Sequence, residues 1–126
     1  MNGLDRIGEL IVCKIRDQAI EQALRILSGE HPSPLYAATQ EKLARLQPED
    51  REAVRELVSL SVDYSVIHIL LLVQETTDGV GELANLLEES SLADLASLSD
   101  GLVGECVTEN SWVSRYSRYQ PSVLTS

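Results

Sequence analysis

The stretch that decides the fold is residues 48–76, PEDREAVRELVSLSVDYSVIHILLLVQET. It begins with a proline followed by two acids, which is typical of a helix start because acids favour the positive end of the helix dipole. Its first half is amphipathic, with Arg51 and Arg55 predicted to face outward. Its second half, Tyr64 to Val73, is apolar on nearly every side. Because such a helix is normally surrounded by protein, we expect this half at the centre of the fold or in a subunit interface.

Two further helices are predicted before this stretch. Residues 4–27 carry apolar side chains three and four positions apart, which indicates one apolar stripe along a helix. Ser28 and Gly29 favour its end, since glycine accepts the left-handed conformation that closes helices. Ser33 and Pro34 then favour a second helix over residues 34–46, with serine as the cap and proline in the first turn.

The chain after residue 76 predicts shorter elements. Short helices are expected over residues 81–89 and 91–98. For residues 102–116 the pattern leaves a β-hairpin, a helix and an irregular tail as alternatives. The sequence therefore predicts an all-α or mostly α bundle of three long and about two short helices. We expect one domain over residues 1–126, which ends in an aromatic segment from about residue 102.

The charge distribution is one-sided. No lysine or arginine occurs between Glu56 and Ser114, although eleven acids lie there, whereas the first 55 residues are nearly balanced in charge. Local ion pairs cannot cancel such a run, so these acids must stay hydrated, repel one another or meet a basic partner. The predicted acidic binding face consists of Asp78, Glu82, Glu88, Glu89, Asp94 and Asp100.

This pattern predicts a non-catalytic module that binds a basic protein, for example an immunity or antitoxin-type protein that covers a basic toxin. The C-terminal aromatics Trp112, Tyr116 and Tyr119 are expected to form an edge of the binding surface or to dock on the helices. The alternative is a self-associating structural protein, in which a homodimer hides the apolar helix. Ten basic residues against twenty acids disfavour nucleic acid as a partner.

A second alternative is an enzyme that uses His68. On a helix, Tyr64, His68 and Glu75 share a polar seam with nearby serines, which would suit a general base oriented by a neighbour. The competing interpretation is a core histidine whose nitrogens are satisfied by Tyr64, a serine or a backbone carbonyl. His31, in a loop flanked by proline, is expected to be exposed.

Other chemistry is not indicated. The sequence has no HExxH, paired CxxC, EF-hand, Walker or G-x-S-x-G motif, so we expect no metal or cofactor and no catalytic residue. Two cysteines, Cys13 and Cys106, fit a reducing compartment and predict a cytoplasmic location. The most apolar run, Val66 to Val73, is shorter than the ~20 residues of a membrane span, so no membrane contact is expected.

Overall fold

The computed structural model describes residues 2–89, 106, 112–120 and 122–124. Every regular element among these residues is a helix, which confirms the all-α prediction. The contacts divide the chain into two compact units, unit 1 from Met1 to Val73 and unit 2 from Gln74 to Ser126. The expectation of a single domain stays a prediction.

The first helical segment of unit 1 is continuous but not uniform. It consists of α1 (Gly3–Ile11), a π-helical turn (Val12–Arg16) and α2 (Asp17–Leu27). The apolar stripe in this region takes successive steps of four residues, from Ile7 through Ile11 and Ile15 to Ala19. Such steps drift around an α-helix, whose repeat is 3.6 residues. A π turn has more residues per turn than an α-helix, so steps of four residues drift less over Val12–Arg16.

The predicted end of this segment is confirmed. Gly29 has a φ of 76°, and its N–H donates to the carbonyl of Ile26 while the Glu30 N–H donates to that of Arg25. This pair of bonds is the Schellman closure, which needs a left-handed residue at the position of Gly29.

The following loop is held by His31, which is half-buried rather than exposed as predicted. Gln40 accepts from the His31 N–H at 2.9 Å and donates to the His31 carbonyl at 3.2 Å. The Nδ1 atom of His31 accepts from the Ser33 N–H, so Nε2 carries the proton and donates to Gln22. Gln40 thus satisfies both backbone polar groups of His31, and the imidazole bonds to Ser33 and Gln22. These hydrogen bonds hold the loop, although two prolines interrupt it.

The predicted second helix is a 3₁₀ turn (Pro34–Tyr36) followed by α3 (Ala37–Leu43). The Ser33 hydroxyl accepts from the Leu35 N–H, which confirms the predicted cap. The helix ends before residue 46, where the sequence pattern placed its end.

The helix that was predicted first is α4 (Pro48–Thr77), 30 residues long. It runs antiparallel to the first helical segment, because Arg51 near the start of α4 contacts the end of α2, whereas Asp63, halfway along α4, contacts the earlier residue Arg16. Arg51 was predicted to face outward, and this was wrong. Its guanidinium donates to the carbonyls of Leu27 at 2.8 Å and Leu43 at 3.1 Å. A single cation thereby closes the carboxyl ends of α2 and α3, where the helix dipoles favour positive charge.

Unit 2 begins with the end of α4. The Gly79 N–H donates to Thr76 and the Val80 N–H to Glu75, which is a second Schellman closure with Gly79 at a φ of 73°. Next come α5 (Glu82–Glu89) and, farther along, α6 (Trp112–Tyr116). The hairpin alternative was therefore wrong for its second strand, which is helical. The predicted helix over residues 91–98 lies outside the described residues.

Burial is sparse. Among the described residues, the buried apolar side chains are Leu27, 2% exposed, and Ala84, 6% exposed. No residue of α4 is buried, so the expectation that its second half forms the centre of the fold was wrong. A helix that is apolar on every side needs surfaces to pack against, but its sequence does not identify them. In unit 1 the first helical segment covers only one face of α4. The interface alternative stays a prediction.

Candidate functional site: the exposed half of α4 and the acids after it

Two faces of α4 are apolar. The first follows Val54, Val58, Val62 and Val66, which are all half-buried and four residues apart. It lies toward the first helical segment, because Val62 and Val66 share a groove of about 210 Å³ with Ile15. This face is therefore already used within unit 1.

The second apolar face lies opposite the first and is exposed. It consists of Leu57, Leu60, Tyr64, Ile67 and Leu71, which we call the α4 seam. These side chains are 50–62% exposed. Their separations of three and four residues place them in one row, because a helix repeats every 3.6 residues.

Arg16 and Asp63 connect the two long helices of unit 1. Arg16 Nε lies 2.6 Å from Asp63 Oδ1, and a second nitrogen of Arg16 lies 3.4 Å from Oδ2. The hydrogen bond to Asp63, together with the attraction between the two charges, raises the pKa of the Arg16 guanidinium above its ordinary value. The one charge in the central part of α4 is thereby matched by a partner from another element.

His68 lies at the surface and not in a core. Its Nδ1 donates to the backbone carbonyl of Tyr64 at 2.6 Å, so the predicted carbonyl partner is present although the predicted burial is wrong. The groove of about 210 Å³ along the inner face of α4 is lined by Ser61 and Ser65 but not by His68. The Glu75 carboxylate lies instead beside Gly81, where an added Cβ would be 3.4 Å from Oε2. The enzyme alternative thus gains no concave site here.

The acidic residues of unit 2 are exposed where the structure describes them. Glu75, Asp78, Glu82 and Glu88 lie at the surface, and the ion pairs within the described residues all involve side chains of unit 1 instead. Glu89 ends α5, and Asp94 and Asp100 lie outside the described residues. No three His, Cys, Asp or Glu side chains of the described part form a group that could hold a metal ion.

The aromatic edge is placed on and after α6. Trp112 and Tyr116 lie one turn apart on this helix, and Tyr116 is 75% exposed. Arg115 lies over the Tyr116 ring and Arg118 over the Tyr119 ring, at 5.0 and 5.2 Å from the ring centres. The two tyrosines therefore make cation–π contacts with their own neighbours, while Tyr116 stays 75% and Tyr119 71% exposed. Docking of these rings on the helices stays a prediction.

By length and composition alone, α4 meets the requirements for a membrane span. Its most apolar window has a mean hydropathy of 1.7, and none of that window is buried. The apolar run compared with a membrane span, Val66 to Val73, was too short. The apolar character begins at Leu57, and the residues that interrupt it are mostly serines. The expectation of no membrane contact stays a prediction.

Comparison with protein-family models gives no match, and neither do comparisons with curated protein sequences and with solved structures.

The row of exposed apolar residues on α4 was missed by the sequence interpretation, although its signal is visible in the sequence. The three-and-four spacing from Leu57 to Leu71 is masked by additional apolar residues at other positions, such as Ile69, Leu70 and Leu72. Only the position of the first helical segment shows which of the two apolar faces is left uncovered.

Proposed function

We propose that this protein is a non-catalytic interaction module that binds a basic protein partner through the acidic surface of unit 2. One observation carries the proposal: Glu75, Asp78 and Glu82 follow one another along the end of α4 and the start of α5, and all three are exposed. None of them is used in an ion pair within the described part of the chain.

The electrostatic reason is that unpaired surface carboxylates attract a cationic surface over a distance of about one Debye length, ~8 Å at physiological salt. Such attraction mainly accelerates encounter and selects against acidic partners. A basic toxin whose substrate groove is covered by this surface is one partner of this kind. The supporting contrast lies in unit 1, where Glu9, Glu41 and Glu52 each have an arginine within 3.5 Å.

This contrast supplies a matched pair of variants. The first variant carries Glu75→Gln, Asp78→Asn and Glu82→Gln, and the control carries Glu9→Gln, Glu41→Gln and Glu52→Gln. Both lose three negative charges, so a difference between them reports where the charges lie. The chain is immobilised, and the basic proteins retained from an extract of the source cells are identified and quantified at low and at high salt.

We expect the control to retain the same basic protein as the unaltered chain, and the first variant to bind it about tenfold more slowly. Retention should fall as the salt concentration rises. Equal retention by both variants, or retention that does not depend on salt, would contradict the proposal.

A further inference from the structure

The α4 seam has the spacing of a helix that packs against another helix. Leu57, Leu60, Tyr64, Ile67 and Leu71 are separated by three, four, three and four residues. This is the a/d pattern of a coiled-coil seam, in which each apolar side chain enters a gap between residues of the facing helix. The opposite face of α4 already packs within unit 1, so the seam is available to a partner that approaches from outside.

The seam is electrically neutral within a strongly acidic chain. Between Leu57 and Gln74 the only acid or base of the Asp, Glu, Lys and Arg types is Asp63, and its carboxylate is engaged by Arg16. A net charge of −10 opposes the association of two identical chains. Because the row from Leu57 to Leu71 itself carries no charge of these types, two copies can meet at this surface, with Glu56 at its edge.

The exposed apolar area fits a small dimer interface. The α4 seam and the adjacent Leu70 give six large apolar side chains that are 42–62% exposed. At roughly 50 Å² of apolar area for each half-exposed side chain, they present roughly 300 Å². Because somewhat more than half of an interface is apolar, such a contact buries roughly 500 Å² per partner, which is at the low end of the size range of specific interfaces.

A bilayer is a poorer occupant of the same surface. The first helical segment lies along α4 and brings Arg16 to Asp63 in the middle of the apolar window. Lys14 and Asp17, which lie within two residues of Arg16, are exposed. Spanning the hydrocarbon would require these charges to enter with α4, at a cost of about 2.5–3.5 kcal/mol for each one near the centre.

We propose that the α4 seam is a homodimer interface, in which the seam of one chain packs against the seam of a second copy. This inference does not depend on the proposed function, because it rests on apolar residues of unit 1 and not on the acids of unit 2. In the dimer the two first helical segments lie on the outer sides, since each covers the opposite face of its own α4.

The test is the mass of the full chain in solution. Sedimentation equilibrium at micromolar concentrations should give twice the chain mass of 13.9 kDa. Leu60→Glu and Ile67→Glu, separately, should reduce the mass to that of one chain. Leu35→Glu is the matched control, because Leu35 is as exposed as Ile67 but lies on the 3₁₀ turn. It should leave the dimer unchanged, and circular dichroism should show equal helix content in all variants.

Three results would overturn this inference. The first is a monomer across the micromolar range for the unaltered chain, and the second is a dimer that persists in both seam variants. The third is a monomer that co-sediments with phosphatidylcholine vesicles and loses this binding on Ile67→Glu, which would make a bilayer the occupant. If the Leu35→Glu and Ile67→Glu variants bind vesicles equally, the vesicles do not bind at the seam. The mass in solution then determines whether the inference holds.

Discussion

The two ends of the helix pair in unit 1 differ in how they are held. At one end, α2 ends at the buried Leu27, and the Arg51 guanidinium donates to the carbonyls of both Leu27 and Leu43. At the other end, the second half of α4 is apolar and exposed, and all residues of α1 from Gly3 to Leu10 are exposed as well. The first end is completed by the chain itself. The second half of α4 has the composition of an interior and the exposure of a surface, which is why we assign its seam to a partner chain.

The largest expected effect is at the completed end. Leu27→Ala removes a side chain that is 2% exposed, so we expect the free energy of unfolding to fall by about 2–5 kcal/mol. Ile7→Ala, in α1 at the other end and at a side chain that is 56% exposed, should cost less than about 1 kcal/mol. Urea unfolding followed by circular dichroism measures both. Similar losses for the two variants would mean that the ends are not packed differently.

The second effect concerns the charge that closes two helices. Arg51→Ala leaves the carbonyls of Leu27 and Leu43 without their donor, which should lower the free energy of unfolding by about 2 kcal/mol. Arg55→Ala is the control, because Arg55 pairs with Glu52 one turn away at the surface, and such pairs contribute about 0.3–0.5 kcal/mol. Chemical denaturation distinguishes the two, and an Arg51 effect no larger than that of Arg55 would refute the closing role.

The third effect compares two glycines of the same helical segment. Gly29 has a φ of 76°, and a Cβ there meets no atom within 4 Å. Gly29→Ala should therefore destabilise by about 1–2 kcal/mol through backbone strain alone. Gly8 lies within α1 and also has open space around it, so Gly8→Ala should stabilise by up to about 1 kcal/mol. Thermal unfolding should show shifts of opposite sign, and shifts of the same sign would contradict the closure at Gly29.

The smallest effect is at the ion pair between the two ends. Asp63→Asn should lower the midpoint of thermal unfolding slightly, and less so at high salt, because both side chains are partly exposed. The pair raises the pKa of Arg16, so its contribution is complete below the ordinary pKa of arginine. It is lost only as the pH rises through the raised pKa, and the difference between Asp63→Asn and the unaltered chain should persist from neutral to moderately alkaline pH. A difference that grows with salt would refute this assignment.

The sequence by itself determined several helix starts and ends, although not the end of α3. Proline at residue 48, Ser33 as a cap and the glycines at 29 and 79 act through local backbone geometry, which does not depend on the rest of the fold.

The tertiary structure decided which apolar face of α4 is covered. Because α4 is apolar on nearly every side, its periodicity could not distinguish the face toward the first helical segment from the seam of Leu57 to Leu71. The same holds for Arg51, whose acceptors lie 24 and 8 residues away and come together only when the helices pack. The partners of such residues depend on how the helices pack against one another, and a local sequence pattern contains no information about that packing. The acids of unit 2 were visible from composition, but only the fold shows that those described have no ion pair.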